Sequence, residues 1–124
     1  MSLPELHIEK EEYTPLIQYI PEESKLVIEG KSISEDPLAF FAPLFDWMKL
    51  YVNNSIPLTI DFNLEYFNTA SSKMIFDFVQ KINEGTVKPN YIWRYLDEDE
   101  DLEEFGEYLQ EMIGDNFVLE SYED

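Results

Sequence analysis

The sequence predicts an α/β domain in which helices pack mainly on one face of a mixed β-sheet. Three observations carry this. Leu58, Ile60, Phe62 and Leu64 alternate with Thr59, Asp61 and Asn63; Met74, Ile75, Phe78 and Ile82 then recur at helical spacing; Tyr91, Trp93 and Tyr95 return to alternation. Polar alternate positions give a strand one wet face, so the helices belong to the other. Strands alternating with helices imply parallel pairing through right-handed crossovers.

Residues before Thr14 are polar and read as an irregular segment over 1–13 of one domain spanning 1–124. Leu16 to Ile20 and Lys25 to Glu29 are short β-prone runs around Pro21-Glu22-Glu23-Ser24, which predicts a hairpin that Gly30 closes. Leu38 to Val52 is too long and too aromatic for a strand, and Pro37 suits a first helical turn. Pro43 lacks an amide donor, so this helix either bends there or starts later. A strand follows from Leu58, then a second helix over Ala70 to Glu84 that Gly85 stops. Tyr91 to Leu96 is the next strand. Leu102, Phe105, Leu109 and Met112 form the stripe of a third helix, opened by the capping-box-like Asp101-Leu102-Glu103-Glu104 and closed by Gly114. Phe117 to Glu120 ends the order β-β-α-β-α-β-α-β.

Composition narrows the function. With 44% apolar residues over 124 positions the chain can bury a core. Cysteine is absent, which excludes disulfides, thiolate metal sites and a cysteine nucleophile. A reducing, cytoplasmic setting is the simplest expectation from that absence. No run approaches the roughly 20 apolar residues of a membrane span, and Met1-Ser2-Leu3-Pro4-Glu5 lacks the basic and apolar regions of a leader, so a soluble protein is expected. The net charge of −19, from 8 basic and 27 acidic residues, argues against nucleic acid and anionic membranes as partners. Its general effect is solubility.

Catalytic signatures are missing. The single histidine, His7, lies in the N-terminal segment, and a chain with four glycines holds no glycine-rich phosphate loop. Carboxylate pairs are inevitable among so many acids and identify nothing. Asp97, Asp99 and Asp101 alternate like calcium ligands, yet Leu102 and Tyr108 stand where the loop needs Gly and Glu. These acids instead favour the positive N-terminal end of the third helix, with a partner contact as the second reading. No enzyme, cofactor or metal is expected.

Two segments remain for protein contact. On the first helix Leu38, Phe41, Phe45, Met48 and Val52 form one apolar stripe, and Phe40, Leu44, Trp47 and Tyr51 a neighbouring one. Either a wide core absorbs both, or the second is an aromatic contact surface. The other segment is Tyr66-Phe67-Asn68-Thr69-Ala70-Ser71-Ser72-Lys73, where the strand gives way to the second helix. Free amides and the helix dipole favour an anion at such a start. A phosphate on Thr69 would add about 1.5 to 2 negative charges and three acceptor oxygens. Asn68 or Thr69 could equally be a helix cap worth roughly 1 kcal/mol. Local chemistry alone leans toward the cap.

Gly30-Lys31-Ser32-Ile33-Ser34-Glu35, the Tyr66 to Lys73 segment, and Trp93-Arg94-Tyr95 followed by Asp97 to Asp101 and Phe105-Gly106-Glu107 together resemble the SiaC family of bacterial regulatory phosphoproteins. The resemblance covers the chain from Thr14 onward. It implies a STAS-like fold, similar to anti-sigma-factor antagonists, with a phosphorylatable hydroxyl at a helix start after a strand. It also implies a cognate kinase and phosphatase, and an unphosphorylated form that binds and activates a diguanylate cyclase in cyclic di-GMP and biofilm regulation. Thr69 is the implied acceptor, with Ser71 and Ser72 as alternates. The expected partner contacts are Glu65, Tyr66, Phe67 and Asn68 beside it, Phe40 and Trp47 on the first helix, and Asp97 and Asp99 in the acidic run. The chain departs from the family pattern at Ala70, where Ser is usual, and at Ser34, where Pro is usual. The alternative function is a constitutive acidic scaffold, bound through the first-helix aromatics and never phosphorylated.

Overall fold

A computed structural model describes residues 3–54 and 56–123. Its elements in order are β1 (His7–Ile8), β2 (Leu16–Ile20), β3 (Lys25–Ser32), α1 (Pro37–Tyr51), β4 (Thr59–Phe67), α2 (Thr69–Ile82), β5 (Asn90–Leu96), α3 (Glu100–Ile113) and β6 (Phe117–Tyr122). The strands form one six-stranded sheet in sequence order, antiparallel from β1 to β3 and parallel from β3 to β6. Right-handed crossovers between successive parallel neighbours put all three helices on the same face. There α1 packs against α2 and α2 against α3.

The mixed sheet and the one-sided helices agree with the sequence reading; several details differ. β1 lies inside the segment expected to be irregular and pairs with only two residues of β2, too short a run for periodicity to reveal. Gly30 does not close β3. At φ +121° it pairs with Leu64 inside the strand, after which β4 bulges at Glu65 and pairing resumes at Lys31 with Tyr66. Consequently β4 runs on to Phe67, beyond its expected end. α1 starts at Pro37 and continues through Pro43, whose missing donor faces solvent, where Ala39 and Pro43 are both exposed. α3 is capped by the Asp99 carboxylate, which accepts from the Leu102 amide at 3.1 Å, rather than by Asp101.

The core lies between the sheet and the helices, with Ile60, Phe62, Tyr91, Trp93 and Phe117 almost fully buried. Each such side chain contributes about 1.5 to 3 kcal/mol through burial. Burial pushes the phenols of Tyr51 and Tyr91 above their ordinary value of 10, helped by Tyr19 beside Tyr51 and by Tyr51 beside Tyr91. Tyr91 also donates to Asn83 Oδ1 at 3.0 Å. A phenol that holds its proton more tightly when folded lends stability that is complete below the unfolded value and declines as pH climbs above it. Urea midpoints are therefore expected to hold up to about pH 10 and to fall as pH rises beyond it, and Tyr91→Phe is expected to flatten that fall.

The open face of the sheet is polar along its centre. The Arg94 guanidinium donates to both Asp61 oxygens, at 2.9 and 3.2 Å. Lys25 and Glu120 extend the network at 3.8 Å to Asp61 and 3.6 Å from Arg94. The Asp61 side chain is only 12% exposed, whereas Arg94 is 36% exposed. Solvent screening on the Arg94 side and the remaining Lys25 soften the penalty for breaking this pair. Arg94→Leu is expected to cost about 2 kcal/mol in urea unfolding, with Arg94→Lys recovering only part of it because the fork is lost.

Candidate functional site

The parallel strands β3, β4 and β5 end at one edge of the sheet, and each feeds directly into a helix. Open α/β sheets bind outside such carboxyl ends. Three helix N-termini gather here, each with a side-chain cap: Asp36 accepts from Ala39 N, Asn68 from Ser71 N and Asp99 from Leu102 N. The caps differ in charge. α3 has a carboxylate cap and Glu100, Asp101 and Glu103 in its first turn. α1 has a carboxylate cap. α2 alone combines a neutral cap with a first turn free of acids, in a chain with 27 acidic residues. Its dipole is thus the one at this edge left without a compensating carboxylate on its own helix.

Asn68 does the capping. Its side-chain oxygen accepts from Ser71 N at 2.8 Å, its carbonyl from Ser72 N at 2.9 Å, and its side-chain amide donates to Ser34 O at 3.3 Å. Its own amide donates to Ser32 O at 3.1 Å, which ties the start of α2 to the end of β3. Thr69, the first residue of α2, is therefore not needed as a cap. It is exposed, and no hydrogen bond among the described residues engages its hydroxyl or the amides of Thr69 and Ala70.

The alternates divide sharply. Ser71 is fully buried, so a kinase cannot reach its hydroxyl without unwinding the first turn of α2. Ser72 is partly buried, and its hydroxyl donates to Thr69 O at 2.7 Å. Only Thr69 offers an exposed and uncommitted oxygen.

A cleft of about 300 Å³ opens beside it, between the starts of α2 and α3, lined by Tyr66, Phe67, Asn68, Thr69, Asp99 and Asp101 among others. Tyr66 is 59% exposed. Phe67 turns inward to Phe105, with ring centroids 5.0 Å apart. Glu65 is exposed next to the cleft and reaches Lys10 at 3.9 Å. The fold thus brings the contiguous Tyr66, Phe67, Asn68 and Thr69 together with Asp99, 30 residues further along the chain.

It does not bring in the others. Trp47, expected on a contact surface, is 3% exposed. Its indole donates to Pro4 O at 3.1 Å and its ring lies 5.0 Å from Tyr19. The N-terminal segment and β2 supply the second cover that the α1 aromatics require, and a wide core absorbs most of both stripes. Trp47 is corrected to a core residue. Phe40 is half-buried and packs edge-on against Phe41. Asp97 faces Glu98 and Glu123 in a separate surface depression. Asp101, whose second reading was a partner contact, also lines the cleft, and so does Leu102, which was missed. The order of parallel strands was the signal for them, since it sends the β4 and β5 ends to the same edge.

Among the described residues no cluster of His, Asp and Glu is placed to hold a metal ion, and no helix is long and apolar enough to cross a membrane. An uncharacterised protein of Pseudomonas aeruginosa strain UCBPP-PA14 is 27% identical over 97% of this chain and 98% of its own length. The crystal structure of the diguanylate cyclase SiaD in complex with its activator SiaC, from Pseudomonas aeruginosa, contains a chain 26% identical to this one. It matches with a TM-score of 0.84 over 94% of this chain and 99% of that one. Apo-SiaC from the same organism matches with a TM-score of 0.77 at 26% identity, over 95% and 98% of the two chains. Residues 8–122 match the model of the SiaC family of regulatory phosphoproteins, and the chain belongs to that family.

Proposed function

We propose that this protein is a non-enzymatic partner switch that binds and activates a diguanylate cyclase when unphosphorylated, and that a cognate kinase and phosphatase set its state at Thr69. Support for the partner comes from its likeness to the activator bound to SiaD. The observation that carries the acceptor is Thr69 itself: an exposed, unbonded hydroxyl on the one helix start at this edge with a neutral cap and no acid in its first turn. A phosphate there meets the unengaged amides and the positive end of α2, so the fold can carry it. It also faces Asp99 and Asp101 across the cleft, which makes the surface that a partner would meet much more negative.

The test is phosphopeptide mass spectrometry after co-expression with a candidate kinase of the source organism, paired with cyclic di-GMP formation by a purified diguanylate cyclase of that organism. Phosphate on Thr69 and stimulation by the unphosphorylated chain are expected. Phosphate confined to other positions removes the Thr69 assignment, and a cyclase indifferent to the chain removes the partner.

A further inference from the structure

The face of the sheet opposite the helices has no second layer over it among the described residues. Its charge is unlike that of the rest of the chain. Across β3 to β6 it carries Lys25, Lys31 and Arg94 against Glu29, Asp61 and Glu120, so it is neutral in a protein of net charge −19. The uncompensated acids therefore lie on the helices, loops and edges, and those surfaces repel a second copy of the chain. On the bare face that repulsion is absent.

The face also matches itself. The register sets Val27, Asp61 and Ile92 in one row across β3, β4 and β5, and Glu29, Asn63 and Arg94 in the next. With β4 as the midline, the first row has an apolar residue on either side, both half-buried, and the second has opposite charges on either side. A copy turned by half a turn about an axis along β4 and laid on this face sets Val27 against the other copy's Ile92, and Glu29 against its Arg94. The reverse contacts follow by symmetry, as an isologous interface requires. Asp61 falls on the axis, but its side chain is only 12% exposed and is already held by Arg94 and Lys25. Glu29 has no ion pair among the described residues, and the second copy supplies one.

We infer that the chain pairs with a second copy of itself, bare sheet face to bare sheet face, about a two-fold axis along β4. Sheets packed in this way lie about 10 Å apart with strand directions within about 30° of each other, a gap that Glu and Arg side chains span from its two sides. Sheet twist splays the edges, so contact concentrates on β3, β4 and β5. Because the axis follows the strands, the carboxyl ends of both sheets come to one end of the pair, and the two Thr69 clefts face the same way. The pairing itself does not depend on the state of Thr69.

The experiment measures the mass of the purified full chain by sedimentation equilibrium over a wide range of concentration. An assembly of twice the chain's 14.7 kDa is expected. Glu29→Arg sets like charges opposite each other at two places, and Val27→Lys puts a cation into the apolar contact twice; each is expected to weaken dimerisation at least tenfold. Circular dichroism melts identify any variant that fails to fold, and Glu29→Gln serves as a milder probe with a severalfold loss. Gln80→Arg, exposed on α2, is the control for altered charge and is expected to weaken nothing. Because the chain has no cysteine, contact can also be read directly. A short bismaleimide linker is expected to join two copies of Thr59→Cys, which lies on β4 beside Lys25, and not of Gln80→Cys. A wild-type chain that stays monomeric overturns the inference, as does a dimer undiminished in the folded Glu29→Arg and Val27→Lys variants. If the wild type is monomeric and Glu29→Arg abolishes stimulation of the cyclase, the face belongs to the cyclase and the self-pairing is overturned.

Discussion

Thr69→Glu is expected to reduce stimulation of the cyclase to its basal rate while the protein keeps its fold. The first position of α2 is exposed, and a carboxylate there interacts favourably with the helix dipole, by about 0.3 to 1 kcal/mol. Repulsion from Asp99 and Asp101 across the cleft offsets part of this, so the melting temperature should barely move. Binding responds differently. The added charge lies where a partner would close over the cleft, and a like-charge or unpaired charge enclosed at an interface costs several kcal/mol, roughly a hundredfold or more in Kd. Thr69→Ala is expected to do the opposite: full stimulation, unresponsive to the kinase. Calorimetric titration with cyclic di-GMP formation separates these outcomes. Equal stimulation by the Glu, Ala and wild-type proteins would return Thr69 to the status of an ordinary helix-start residue and favour a constitutive interaction.

The largest effect on stability is expected at Gly106. A β-carbon there would lie 2.5 Å from Trp93 Cδ1 and 2.7 Å from both Trp93 Nε1 and Leu119 Cδ2, distances that no side chain sustains. The same indole donates to Leu102 O at 2.9 Å, so glycine lets α3 approach β5 closely enough for the sheet to hold the helix backbone. Gly106→Val forces the helix outward, overpacks the core and strips that buried donor of its acceptor. The combined cost is expected to be about 3 to 5 kcal/mol in urea unfolding. Gly106→Ala gains about 1 kcal/mol in helix propensity and should still destabilise. The functional consequence follows from position. Asp99, Asp101 and Leu102 on the first turn of α3 form one wall of the Thr69 cleft, so the folded fraction of Gly106→Ala is expected to stimulate the cyclase less than wild type.

Most of the fold was legible because its elements are long and strongly patterned. The alternation of Leu58 to Leu64 and the helical spacing of Met74 to Ile82 identify their elements without tertiary help. Gly30 was misread for a physical reason: a glycine with positive φ ends a strand in one setting and stays within it opposite a neighbour's bulge in another, and only the β4 strand beside it, bulged at Glu65, decides which. Trp47 was misread because periodicity shows that a side chain is apolar but not what covers it. Its cover is Pro4 and Tyr19, 43 and 28 positions earlier in the chain.

The sequence by itself determined the class of fold and the short hydroxyl-bearing segment where the strand gives way to the second helix. Those properties depend on local spacing and composition. Tertiary structure decided which hydroxyl in that segment is available, because burial of Ser71, commitment of Ser72 and the capping role of Asn68 depend on α2 seated against β3 and the sheet. It also decided what stands opposite Thr69. Asp99 and Asp101 are 30 and 32 residues away along the chain, and only the parallel order of β4 and β5 brings the starts of α2 and α3 to the same edge.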